Sequence, residues 1–118
     1  MGTFRVDVTV SNLAERQRSL TLPLLVDTGA TYTTLPREVA DALRLEPIEI
    51  RQVRLGDGRV DSWPMAAILV RIEGRESPSL TWIGPPGGPA LLGAVTLEEF
   101  ALTVDPAARR LIPTIPIA

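Results

Sequence analysis

Few residue types in this sequence can move protons, and that scarcity narrows the chemistry. Among its 118 residues there is no His, Cys or Lys, and all 12 basic residues are Arg. A Ser-His-Asp or Cys-His arrangement built from this chain is excluded, as are a Ser-Lys dyad, a lysine Schiff base and a Walker lysine. The usual zinc ligand sets are excluded as well. Catalysis without a borrowed cofactor falls to carboxylates and the single Tyr32. That leaves aspartic proteolysis, glycoside hydrolysis, or a carboxylate-bound Mg²⁺ or Mn²⁺ site.

One carboxylate stands out by its setting. In "LLVDTGATYTTL", residues 24–35, an aliphatic run meets Asp27, and Thr28, Gly29 and Ala30 follow at once. Asp-Thr-Gly is a good turn after a strand, so taken alone Asp27 reads first as a turn residue. It also has the residue types an aspartic hydrolase needs. Two carboxyls held a few ångströms apart cannot both ionise, so one serves as base on a water while the other serves as acid on the carbonyl. Such an acid must sit where a strand ends in a tight turn, with Gly allowing close backbone approach. A metal site joining Asp27 to Asp57 or Asp61 is a weaker alternative, without EF-hand or HExxH spacing.

The elements that must position Asp27 are mostly strands. Phe4, Val6, Val8 and Val10 alternate with Arg5, Asp7 and Thr9, which predicts a half-buried strand ending at a turn on Ser11 and Asn12. Leu20 to Val26 reads as a second strand. Pro36 fits the first turn of a helix whose apolar stripe is Leu35, Val39, Ala42 and Leu43, ending before Pro47. Ile48 to Leu55 and a return from Val60 flank "GDGR", a strong hairpin signal. Ile68, Val70 and Ile72 mark a strand up to Gly74, and residues 80–83 a short one before the loop "GPPGGP". A short helix is predicted at 95–100, and strands at about 100–105 and 110–115 flank a turn at Asp105-Pro106. The sum is a mostly-β barrel or sandwich in a single domain spanning 1–118. "LLVDTGATYTTL" and "PALLGAVTLEEF" echo each other as possible copies of one strand-turn-helix unit.

Over most of its length the chain resembles the retropepsin-like aspartic proteases, the retroviral protease family and its single-domain cellular and bacterial relatives. "LLVDTGATYTTL" is similar to the family's active-site segment, "ILVRIEG" and "LTWIGPP" to the strands after its flap, and "ALLGAVTL" to its second signature. The resemblance implies a closed acid-protease β-barrel with one or two short helices, functional as a homodimer. It implies that Asp27 is the catalytic aspartate and that Thr28 bonds across the dimer axis beneath the two aspartates. Gly29 would offer its carbonyl to substrate backbone, beside Ala30, with Leu91, Leu92 and Gly93 supporting the loop from behind. Gly56, Asp57 and Gly58 fall where the family carries its flap. With one such Asp per chain, a catalytic pair needs two chains on a two-fold axis.

The implied activity is hydrolysis of a peptide or protein substrate bound in extended form, without metal or other cofactor. A non-catalytic peptide-binding or dimerisation module on the same fold is the alternative. Retroviral members pair an acid after Asp-Thr-Gly-Ala with an Arg after the second Gly; here Thr31 and Ala94 stand there, so both partners are missing together and no charge is stranded. Asp57 replaces an apolar flap tip, and Pro113 and Pro116 shorten any C-terminal strand.

The remaining expectations are plainer. A net charge of −2 gives no footprint for nucleic acid or an anionic membrane, and no apolar run reaches the ~20 residues of a membrane span. The N-terminus lacks signal-peptide features, and its Gly2 lacks the Ser or Thr at position 6 of a myristoylation signal; the expected location is cytoplasmic. Trp63 and Trp82 read as packing residues, Tyr32 as a surface residue near the site, and Glu98, Glu99, Arg109 and Arg110 as solvated.

Overall fold

Alternation in the first strand holds, and burial explains it: Val8 and Val10 are fully buried while Arg5, Asp7 and the far face stay wet. In the computed structural model, which describes residues 3–118, this strand is β1, Arg5–Asn12. Met1 and Gly2, and with them the glycine weighed for lipidation, lie outside the described residues. β1 runs past the expected turn because Ser11 and Asn12 find strand partners on both sides, Ser19 in one neighbour and Leu69 and Ile68 in the other. Asn12 then organises the turn that does follow. Its Oδ1 accepts the amides of Ala14 and Glu15, and its Nδ2 donates to the carbonyls of Leu43 and Arg44.

The remaining elements are β2 Ser19–Val26, β3 Thr33–Pro36, α1 Arg37–Ala42, β4 Glu49–Arg54, β5 Val60–Ile72, β6 Arg75–Gly84, β7 Leu91–Leu92, α2 Ala94–Glu99, β8 Leu102–Asp105 and β9 Arg110–Pro113. The main sheet has the order β1-β2-β7-β3-β6-β5-β4, and β1 pairs with β5 as well. The path of pairings therefore returns to its first strand, and β4 extends beyond it. β8 and β9 form a separate two-stranded sheet. Among the described residues, no helix is long and apolar enough to cross a membrane.

Pro36 departs from the sequence expectation. It does not open the helix but ends β3, with extended φ −67° and ψ 156°, and caps α1 from outside. Without an amide hydrogen it donates nothing to a ladder, so a strand can end and a helix begin on it. β3 itself was not legible, because two of its four buried residues are Thr33 and Thr34, which break any aliphatic run. β5 is longer than expected, since the hairpin return and the strand at 68–72 are one strand that passes through Pro64 opposite Ile50. β6 likewise begins at Arg75, through Pro78, rather than at residue 80. The internal echo is partial, as "LLVDTG" leads into β3 before any helix, whereas "LLG" opens α2 directly.

Leu24, Leu35, Ile68, Val70, Ile72 and Leu92 make the centre of the core, and Leu97, Phe100 and Leu102 bring α2 and β8 onto it. Burying each such side chain contributes about 1.5–3 kcal/mol. Ile68→Ala, at a fully buried position, is expected to cost about 2–5 kcal/mol in urea unfolding. A loss below about 1 kcal/mol would contradict this placement.

Candidate active site

Asp27 is carried to the surface by a strand held on both edges. Leu25 and Val26 run parallel to Leu91 and Leu92, and the Asp27 amide donates to the Leu92 carbonyl at 3.0 Å. Beyond that bond the chain turns. The Ala30 amide donates to the Asp27 carbonyl at 3.1 Å, and the Gly29 amide to Asp27 Oδ1 at 3.0 Å. The half-buried carboxylate is thereby fixed by its own loop, as an Asp at a turn is able to do. A Cβ on residue 29 would stand 3.2 Å from Asp27 Oδ1, so glycine there keeps the carboxylate's near side clear.

The loop rests on the start of α2. The amides of Ala94 and Val95 donate to the carbonyls of Ala30 and Thr31 at 2.8 and 2.9 Å. Backbone hydrogen bonds thus hold the loop at Ala30 and Thr31 against Ala94 and Val95. Gly93 sits so close behind that a Cβ would fall 2.3 Å from the Tyr32 carbonyl carbon. Only glycine permits that approach. Beneath lies a chain of hydroxyls. The Gly93 amide donates to Thr33 Oγ1 (3.1 Å), Thr33 bonds Thr96 Oγ1 (2.7 Å), Thr96 bonds Ser79 Oγ (2.8 Å), and Ser79 donates to Glu99 Oε1 (2.6 Å). An ionised carboxylate only accepts, so the hydroxyl protons all point from Thr33 toward Glu99. Glu99 is therefore engaged, not merely solvated. Sequence reasoning missed Thr33, Thr96 and Ser79, since hydroxyl residues carry no apolar periodicity.

A groove of about 600 Å³ opens above Asp27. Of the residues expected in the site, Asp27, Gly29, Ala30, Leu91 and Gly56 line it. Leu92 and Gly93 are buried behind it, and Thr28 is exposed and outside the lining. Asp57 and Gly58 also lie outside it, at the tip of the β4–β5 hairpin, where Asp57 accepts the Arg59 amide (3.0 Å) and Nε (2.6 Å). Asp61 is engaged by the Ser62 amide and Trp63 Nε1. Neither acid joins Asp27 in the groove, so the metal alternative gains no geometry.

The wall that sequence reasoning treated as packing is aromatic. Trp82 stands edge-on to Tyr32 (centroids 5.8 Å apart) and to Trp63 (6.2 Å), and all three line the groove. Arg51 Nη1 donates to the Tyr32 hydroxyl at 3.2 Å, tying the hairpin to the floor loop, while its Nε binds Glu49. The bonds to Glu49 and then Tyr32 raise the Arg51 pKa above its ordinary value. Counting the hairpin register outward from "GDG" would have put Trp63 opposite Arg51. Arg109, expected to be solvated, donates to the Thr3 carbonyl at 2.6 Å.

Three comparisons with known proteins bear on this arrangement. A family profile described as aspartyl protease matches residues 6–95, a span that includes both the Asp27 loop and Gly93. Among solved structures, the fold is similar to that of EIAV protease complexed with the inhibitor HBY-793, with a TM-score of 0.63 and 17% identity, covering 88% of this chain and 93% of that one. No curated protein sequence matches.

Thr96→Val leaves its hydroxyl partners unsatisfied in a fully buried position, and is expected to cost about 1–3 kcal/mol. The matching change at the exposed Thr9, bonded only to Thr21 across β1 and β2, is expected to cost far less; equal losses in urea unfolding would contradict a role for the buried chain. The hairpin tip gives a pH prediction. The Arg59 amide and then its side chain hold the Asp57 carboxyl below its ordinary value of 3.8. A depressed folded pKa means the tip's stabilisation is present above the ordinary value and lost as pH falls through the lower one. The Arg59 amide resonance should therefore titrate with a midpoint below 3.8, and a midpoint above it would contradict the pairing.

Proposed function

Because the chain belongs to the aspartyl protease family, we propose that it is an aspartic endopeptidase whose catalytic pair is Asp27 from each of two copies. The observation that carries this reading is a single carboxylate, pinned at Oδ1 by the Gly29 amide, in a groove lined in part by the β4–β5 hairpin. Asp27 is the one acidic residue among those lining that groove, so one chain supplies half of a dyad. In this reading the returning circuit of strand pairings is a closed β-barrel, and the β4–β5 hairpin is a flap over an extended peptide. Thr28, exposed beside the acid, would meet the second copy in this reading.

The chemistry follows from pairing. Two carboxyls brought within a few ångströms share a proton, so one stays protonated where the other is ionised. The ionised one takes a proton from a water as that water's oxygen attacks the peptide carbonyl, and the protonated one gives its proton to the carbonyl oxygen. The tetrahedral intermediate then loses the amine, which leaves with a proton returned from the dyad. No metal or cofactor enters these steps. Closing the hairpin excludes water and strengthens every charge interaction inside.

Peptide-library cleavage at several pH values, with and without a statine inhibitor of the pepstatin type, tests the reading. Cleavage with an acidic optimum, blocked by the inhibitor, is expected. Asp27→Asn is expected to lower kcat by about a hundred- to ten-thousandfold while leaving the unfolding transition in place. A folded Asp27→Asn protein that cleaves at the wild-type rate contradicts the mechanism. A strict monomer in sedimentation at high concentration, with no cleavage, favours the peptide-binding module instead.

A further inference from the structure

The groove lining carries one charged residue of each sign, the acidic Asp27 and the basic Arg54, among apolar, aromatic and neutral polar side chains. Arg54 is the last residue of β4, and its Nη1 donates to the Gly58 carbonyl at 2.8 Å. That bond lies on the exposed side of the hairpin and uses one of the guanidinium's several N–H donors. Neighbouring charges are already satisfied: Arg51 pairs with Glu49, Arg59 with Asp57, and Asp61 accepts from Trp63. Among the described residues Arg54 makes no ion pair. A cation is thus held at the wall of a largely apolar groove with donors to spare.

We propose that Arg54 is a specificity-determining residue that selects peptides bearing an Asp or Glu side chain near the scissile bond. This rests on the endopeptidase reading. A guanidinium binds a carboxylate through paired, charge-assisted hydrogen bonds, stronger than those it makes to a neutral amide. Position follows from the same charges. Asp27 repels a second carboxylate at the bond being cut, so the acidic side chain lies displaced from it, under the hairpin. The residues at the bond itself face the aromatic and aliphatic wall of Tyr32, Trp63, Trp82 and Leu91. A two-fold dimer presents two copies of Arg54, one toward each side of the bond, so acidic residues on either side are recognised.

Matched peptides carrying Glu or Gln at each position around a cleaved bond test this. At pH 6 the wild-type kcat/KM ratio of Glu to Gln peptide is expected to reach about five- to tenfold at its best position. It should fall toward one as pH drops below about 4 and the peptide Glu becomes protonated, and shrink as salt is added. Arg54→Gln is expected to bring the ratio to about one at every pH, and Arg54→Lys to keep part of it. A purely structural role through Gly58 would slow both peptides alike and leave the ratio intact. That result overturns the proposal, as does a wild-type ratio near one at every position. If no peptide of either kind is cleaved, the endopeptidase reading fails first and the role of Arg54 fails with it.

Discussion

Everything around the candidate site depends on one close approach, that of Gly93 to the backbone of Tyr32. A methyl group at residue 93 would fall 2.3 Å from a carbonyl carbon, a distance no packing adjustment absorbs. Because the chain is bare there, β7 lies alongside β2 and β3, and α2 starts directly beneath the Asp27 loop. The first amides of α2 are then spent on the carbonyls of Ala30 and Thr31. Apart from the Gly29 amide's bond to Asp27 itself, the loop that presents Asp27 is held by backbone on both sides. Thr31 and Ala94 carry no charge, so the hold on this part of the loop comes from these backbone bonds.

The hairpin and the floor are also mechanically joined. β5 runs without a break from the hairpin tip, where Val60 faces Arg54, into the core at Ile68 and Val70. Motion at the tip is therefore referred to a strand anchored at its far end. Trp63 on that strand packs edge-on against Trp82, which in turn meets Tyr32 of the floor loop, and Arg51 reaches the Tyr32 hydroxyl from the other hairpin strand. The aromatic wall both lines the groove and ties the hairpin to the floor loop.

How much was legible beforehand varies with the physical signal each element carries. The Asp27 turn, the "GDG" hairpin and the Gly93 motif were visible because acids, glycines and aliphatic runs mark turns and strands locally. β3 was hidden, since the buried Thr33 is held by hydrogen bonds and Thr34 beside it adds no aliphatic signal. Pro36 misled because it fits the first turn of a helix as well as the end of a strand, and which it does is a tertiary fact. The aromatic wall was read as packing because a Trp is large enough to pack on one face and line a groove with the other. The hydroxyl chain below the site had no local signal at all.

Each chain has one acid in its groove, so the proposed chemistry hangs on two copies each contributing Asp27. Subunit mixing tests that most directly. Wild-type protein is combined with increasing proportions of Asp27→Asn protein at constant total concentration, and peptide cleavage is measured after exchange. If both aspartates are needed, mixed dimers are inactive and the rate falls as the square of the wild-type fraction. A rate that falls only in proportion to that fraction would mean each chain acts alone, and would contradict the shared dyad.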